Sequence, residues 1–409
     1  MMCSRLLLTS LVIGGATSLP ARAHAHASLR RVSTSSQATG ATAPFETLGR
    51  VLRHDSAFDQ LISEDARLEV LARGFGWSEG PLWVDARHSL LFSDVPGNRI
   101  YEWSEDGGLS VFLEPSGYSA GENVTSPLPG SNGLALDSAG RLLLCQHGAR
   151  RLAVSTHPLR ARDEQGEAEK EDDASGETEA AQPYTFATIA ADYRGRRFNS
   201  PNDLVLHSTG AVYFTDPPYG LPQWQEDPGK ELQFQGVFLL RPSETDTADS
   251  MAVEDQPPSV HNSTEAEGRL QVFVRNLTFP NGVVLSPDEN TLYVSVSDGA
   301  HPFIYAYAIG ADGLAADEGR IFFDRSTLGE GEGRGVTDGM AVDVDGNVFA
   351  GGDGGVAVLS PSGRLLGTLS MGQPCANVAF GGADGSTLFM TCKSHLVRVE
   401  TKTKGMNLR

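Results

Sequence analysis

Short apolar runs separated by turn residues fill most of this chain, and one hairpin pattern returns six times. In 201–220, PNDLVLHSTGAVYFTDPPYG, an asparagine precedes the alternating Leu204 and Leu206. A Ser-Thr-Gly turn and a second run, 212–214, follow. Related stretches are SNGLALDSAGRLLLCQ from Ser131, PNGVVLSPDENTLYVSV from Pro280 and TDGMAVDVDGNVFAGG from Thr337, with looser copies from Ser78 and Ala376. Aligned on their turns, all six carry a carboxylate or amide at one place: Glu79, Asn132, Asn202, Asn281, Asp338 and Asn377. Repeats of roughly 40–50 residues, each with about four short strands, predict an all-β, six-bladed β-propeller. The innermost strand of every blade then borders a central channel, and the six polar positions meet as a ring at one mouth of it. A two-sheet sandwich would explain the strands but not the recurring polar residue. The apolar stretch 67–73 is expected to pair with 396–400, closing the circle by joining both chain ends in one blade.

The propeller is expected to span 48–409. Marker positions lie far apart only from Asn132 to Asn202 and from Asn202 to Asn281. Those intervals hold an acidic stretch, 162–182, and a Ser/Thr/Pro-rich stretch, 242–268, both read as solvated insertions on loops. Residues 1–47 read as a targeting segment and linker. Arg5 precedes an apolar run, 6–16, and small-x-small cleavage sites fall within 21–25. Secretion is expected, with an organelle transit peptide as the alternative, and no later run is long enough to span a bilayer. The sequons at Asn123, Asn262 and Asn276 are compatible with secretion. A net charge of −20 argues against nucleic acid as a partner. Once Cys3 leaves with the leader, Cys145, Cys375 and Cys392 remain, an odd number. Cys375 and Cys392 flank the last hairpin and are expected as buried free thiols, with pairing as the alternative.

Asn-Gly, Asn-Asp and Asp-Gly are turn dipeptides, so any one ring residue has a plain structural explanation. Six at one repeat position point instead to a ligand. Two carboxylates and four amide oxygens suit one hard divalent cation, Ca²⁺ ahead of Mg²⁺, Mn²⁺ or Zn²⁺. Carboxylates facing across a channel repel unless a cation lies between them or one takes up a proton.

Five stretches, SEGPLWVDARHSLLFSDVPGNRIYEW, SNGLALDSAGRLLLCQHGARR, NSPNDLVLHSTGAVYFTDPPYG, FPNGVVLSPDENTLYVS and DGMAVDVDGNVFAGGDGGVAVLSPSG, resemble the SMP-30/gluconolactonase/luciferin-regenerating-enzyme family, and within it the bacterial-type gluconolactonases. The resemblance implies a six-bladed propeller with one catalytic divalent metal in the channel. Glu79, Asn281 and Asp338 would be ligands. Asn202 would stand beside the metal, as ligand or through water, and contact substrate. Asn132 and Asn377 would complete the ring, and His147 would lie near the pocket rim, where it positions substrate or simply packs.

The implied partner is a small lactone, and the implied reaction is its hydrolysis. The metal would polarise the carbonyl and lower the pKa of water. Asp338 is the candidate proton acceptor, with Glu79 and Asn202 as the other catalytic candidates and Asp216 a weaker second base. Asp94, Asp216 and Asp353 close equivalent hairpins and read as turn or supporting residues. Tyr219 either walls the pocket or fills a loop. No G-x-S-x-G motif supplies a serine nucleophile. One departure stands out: animal members of the family carry a substrate-contacting arginine two places before the residue aligned with Asn202, and here that place is Ser200. A related esterase or organophosphate hydrolase, and a non-catalytic calcium-stabilised binding propeller, are the alternative functions.

Overall fold

The computed structural model describes residues 45–119, 121–122, 124–161, 184–242, 268–329 and 333–406. The insertion 162–182, nearly all of 242–268, and the leader up to residue 44 lie outside the described residues. Apart from a two-stranded ribbon pairing Asp192–Tyr193 with Arg196–Arg197, the described strands form six antiparallel sheets of four or five strands, the blades of a β-propeller. Their innermost strands are Ser78–Val84, Ser131–Leu136, Leu204–Leu206, Pro280–Leu285, Thr337–Val342 and Asn377–Gly381, opening blades 1 to 6 in turn.

Runs of consecutive apolar residues explain how the blades pack. Side chains of a strand point alternately to the two faces of its sheet, and here both faces are covered by neighbouring blades. Leu91 thus joins the core between blades 1 and 2, whereas its neighbours Leu90 and Phe92 join the core between blades 6 and 1. Likewise Val283 packs towards blade 3 and Val284 towards blade 5. Among the described residues, one apolar cluster fills each of the six interfaces between neighbouring blades. Aromatic pairs brace several of them. Trp83 of blade 1 stacks on Phe389 of blade 6 at 5.5 Å, and Phe198, Phe214 and Phe238 pack together at 5.3 Å separations.

The circle closes as the sequence predicts. Glu69–Arg73, from the N-terminal side, forms the outermost strand of blade 6 and pairs with His395–Glu400, with Val70 opposite Val397 and Ala72 opposite Leu396. Arg398 ties the joint further through an ion pair to Glu69. Two features differ from expectation. Arg50–Arg53 adds a fifth strand to blade 5, with Leu52 opposite Thr368. As a four-residue edge strand with half-exposed apolar residues it carries too little alternation to be read from sequence. Cys375 and Cys392 form a disulfide and are not free thiols. The reason is local: Asn377 pairs with Thr391, so the residues just outside that pair are brought together at the end of one hairpin. Cys145 is the buried free thiol among the described residues. No described helix is long and apolar enough to cross a membrane.

Closure through Val70 makes a checkable demand. Val70 is 7% exposed inside the core between blades 5 and 6, whereas Val111, on the outer strand of blade 1, is 46% exposed. Val70→Asp buries an unpaired carboxylate and is expected to cost about 3 kcal/mol or more. Val111→Asp should stay within about 0.5 kcal/mol. Thermal or urea denaturation of both variants measures the difference; equal effects would mean that the closing strand is dispensable.

Candidate active site

The six repeat-equivalent side chains converge in the channel, and all are buried. Asn132 Nδ2 donates to Asn202 Oδ1 at 2.9 Å, Asn202 Nδ2 to Asn281 Oδ1 at 2.6 Å, and Asn281 Nδ2 to Ser297 Oγ at 2.8 Å. On the other side of the ring Glu79 accepts from the Trp77 indole at 3.2 Å and is also hydrogen-bonded by Asn377. Below the ring the channel forms a cavity of about 780 Å³, lined by the inner strands with Gly80, Asp203 and Asn377 among its walls.

A repeated local device aims these side chains inward. In blades 2, 4 and 5 the ring residue and the glycine after it face a single residue of the next strand, a β-bulge that breaks the register at Asn132, Asn281 and Asp338. The glycine is needed for room. A Cβ on Gly80 would lie 2.1 Å from Asn132 O, one on Gly282 2.5 Å from Asp338 O, and one on Gly339 2.0 Å from Asn377 Cγ. Asn132, Asn202, Asp338 and Asn377 are therefore each backed against a glycine of the blade before.

Hydroxyls from the preceding blade then pin the ring backbone. Ser93 Oγ donates to Asn132 O at 2.9 Å, Thr215 Oγ1 to Asn281 O at 2.7 Å and Ser295 Oγ to Asp338 O at 2.7 Å. The aspartates at the hairpin ends hold the incoming loops. Asp94 accepts from the N–H of Trp77 at 3.0 Å, Asp216 from those of Asn199 and Ser200 at 2.8 Å, and Asp353 from that of Val336 at 3.2 Å. They are supporting residues, as the hairpin positions suggested. Asp216, its carboxylate oxygens aimed at these amides, is not placed as a base.

Charge is the unusual property of the ring. Burial pushes the Glu79 carboxyl up to about 8, with the negative charge of Asp203 adding to the effect; hydrogen bonds from Trp77, the Gly80 backbone and Asn377 oppose it. Asp338 is held well above the usual carboxylate range by burial, then by Glu79 and Asp203. Asp203 itself is pushed up to about 7 by burial, against hydrogen bonds from the Val283 and Leu204 amides. Among the described residues no Lys or Arg forms an ion pair with any of the three, and Arg325 attracts Asp338 only from a distance. The nearby guanidinium of Arg325, fully buried, is spent on the carbonyls of Gly333, Ala350, Gly351, Asp353 and Gly355. Among the described residues no three His, Cys, Asp or Glu side chains converge on one point. The donor set is two carboxylates, from blades 1 and 5, set among four amides, and it fits an oxygen-coordinated cation.

Asp203 was not anticipated from sequence, although a signal existed. It occupies the place that glycine takes after the ring residue in Gly80, Gly133, Gly282 and Gly339. Trp77 and Ser297, which hold Glu79 and Asn281, were also missed. His147 is buried just past the strand Arg141–Gln146, its ring beside the Asn202 side chain. Burial lowers its pKa to about 4, so it is neutral at physiological pH. Ser200, at the place of the family arginine, is buried and bonded to the loop 217–220. Arg196 and Arg197 do not replace that arginine: they bond outward to Glu231 and to the Ala149 carbonyl.

Fold and ring together define a six-bladed propeller with an acidic, oxygen-lined channel. The family model for the SMP-30/Gluconolactonase/LRE-like region matches residues 77–394. The chain is 35% identical over 371 residues to the gluconolactonase of Zymomonas mobilis, covering 88% of each. Among solved structures it superposes on a gluconolactonase of Xanthomonas campestris with a TM-score of 0.63 at 28% identity, over 89% of this chain and 99% of that one. The calcium-binding protein regucalcin of Agrobacterium tumefaciens shares the fold, with a TM-score of 0.53 at 17% identity over 82% and 94%. The chain belongs to the SMP-30/gluconolactonase/LRE-like family.

The buried carboxylates set the sign of a pH effect. Glu79 binds its proton more tightly folded than unfolded, so its contribution to stability is fully present below pH 4.5 and is lost as pH rises through about 8. Asp338 and Asp203 shift the same way. Chelator-treated protein should therefore melt at progressively lower temperature across that window, and the Glu79→Gln, Asp338→Asn double variant should flatten the decline. A melting temperature that is constant or rises over the window would contradict this electrostatic picture.

Proposed function

We propose that this chain is a lactonase that hydrolyses small sugar or aliphatic lactones with the help of a divalent cation, Ca²⁺ ahead of Mg²⁺, Mn²⁺ or Zn²⁺. The observation that carries the reading is the pair Glu79 and Asp338, buried together in one channel with no ion-pair partner among the described residues. Glu79, Asn281 and Asp338 would hold the cation, with Asn202 beside them as a fourth oxygen donor. When bound, it supplies a Lewis acid for the lactone carbonyl and lowers the pKa of water.

The chain's own groups account for the rest. Asp338, bonded through Oδ1 to the Gly339 N–H, keeps Oδ2 to accept the proton of the attacking water. Asn132 and Asn202 are fixed by their mutual hydrogen bond, and each NH₂ retains a second hydrogen for a lactone oxygen. Trp77 and Asn377 hold Glu79 in place, so that substrate entry need not reorient it. Neutral His147, buried beside Asn202, offers one donor and one acceptor nitrogen to a bound substrate. Relatives that act on lactones support the reaction class.

Purified protein should release acid from glucono-δ-lactone and δ-valerolactone, lose that activity in EDTA and regain it with added cation. Glu79→Gln and Asp338→Asn should each lower kcat/KM on the order of 10²–10³-fold with the sheet content intact. Cation-dependent hydrolysis of paraoxon alone would favour the organophosphate hydrolase. Cation-dependent melting without turnover would favour a binding propeller. Full activity in both variants would remove the ring from the mechanism.

A further inference from the structure

The loop that follows Asp216 carries a feature for which the ring gives no reason. Tyr219, Trp224 and Phe279 form one aromatic cluster. The rings of Tyr219 and Phe279 stack at 5.8 Å and 8°, and Trp224 stands nearly edge-on to both at 6.2 Å and 5.9 Å. The cluster runs from the ring to the surface. Phe279 O accepts from the Tyr219 hydroxyl at 3.5 Å and from the Ser297 N–H at 2.9 Å, and the Ser297 hydroxyl is the partner of Asn281. Trp224, at the other end, is 51% exposed.

This exposure is not slack in a mobile loop tip. Trp224 and Phe279 both adopt left-handed backbone conformations, with φ of 51° and 54°, which bulky side chains disfavour. Hydrogen bonds hold them there: Phe279 N–H donates to Gln235 Oε1 at 2.8 Å and Trp224 N–H to Leu221 O at 3.1 Å. The loop itself is fastened at its base. Ser200 Oγ donates to Pro217 O at 2.6 Å and accepts from Gly220 N–H at 2.9 Å, and Ser126 Oγ donates to Gly220 O at 2.6 Å. The position that would carry a polar, charged substrate contact is thus used to anchor an apolar one.

We propose that Tyr219, Phe279 and Trp224 form a stacking wall at the channel mouth that selects lactones by the flat, apolar face of their ring. Six-membered lactones with an aryl-fused or similarly flat face are bound in preference to compact ones. A half-exposed indole beside a stacked aromatic pair gains most from covering a flat ring, and little from a small aliphatic one. The inference rests on the lactonase reading and adds a substrate preference to it.

The test compares kcat/KM for dihydrocoumarin with that for δ-valerolactone. In Trp224→Ala the ratio should fall about tenfold, mainly through KM, and Trp224→Phe should restore most of it. Phe279→Leu should lower the ratio in the same direction. A ratio within about twofold of wild type in both Trp224→Ala and Phe279→Leu, in folded protein, would overturn the proposal. Calorimetric binding of the unreactive lactam 3,4-dihydro-2-quinolinone separates the two readings. If no lactone is hydrolysed, yet wild type binds this lactam about fivefold or more tightly than Trp224→Ala, the wall stands and the lactonase reading falls. Equal affinities would overturn the wall.

Discussion

Two carboxylates buried together in one channel, Glu79 and Asp338, set the constraint on which this molecule is built. Leaving water is unfavourable for either charge alone, and their proximity adds repulsion, which Asp203 increases. Such an arrangement persists only where the surrounding structure over-determines it. The propeller supplies that structure. Each blade is held on both faces by apolar packing, and the circle is completed when Glu69–Arg73 joins His395–Glu400. Hydrogen bonds chain Asn132, Asn202 and Asn281 together, so none of the three can withdraw without disturbing the next.

The same few contacts recur from blade to blade. A bulge turns the side chain inward, a glycine lets the next blade approach, a hydroxyl from the blade before pins the carbonyl, and a hairpin-end aspartate holds the incoming loop. A net hydrogen bond contributes only about 1 kcal/mol, so no single pin is decisive. Together they fix six polar atoms of distant sequence around one axis. The departures from the repeat mark where blades differ in task. Asp203 in place of glycine adds a third carboxylate, and Ser200 fastens the loop that carries Tyr219.

Much of this was legible in the chain. The six-fold hairpin pattern carried the blade count, because strands buried on both faces read as short apolar runs, such as 90–92 and 142–145, set between turn residues. The ring followed from aligning Glu79, Asn132, Asn202, Asn281, Asp338 and Asn377 on their turns, since equivalent strand starts must meet at the channel. The closing strand was visible because Val70 and its neighbours are apolar enough to seek a sheet. What stayed hidden depends on contacts that no repeat dictates. Arg50–Arg53 is an edge strand with little pattern, and the Cys375–Cys392 bond depends on hairpin register rather than composition. Asp203 was hidden because PND reads as a turn. Trp77 and Tyr219 belong to loops, whose paths are set by distant anchors such as Asp94 and Ser200.

The most direct measurement uses Trp77 as a reporter. Its indole is hydrogen-bonded to Glu79, so a terbium ion in the ring would lie within reach of its excitation energy. The account predicts sensitised terbium emission that saturates at one ion per chain, is displaced by Ca²⁺, and is lost in Trp77→Phe and in the Glu79→Gln, Asp338→Asn double variant. Emission that is absent from the wild-type protein, or that survives unchanged in the double variant, would contradict it.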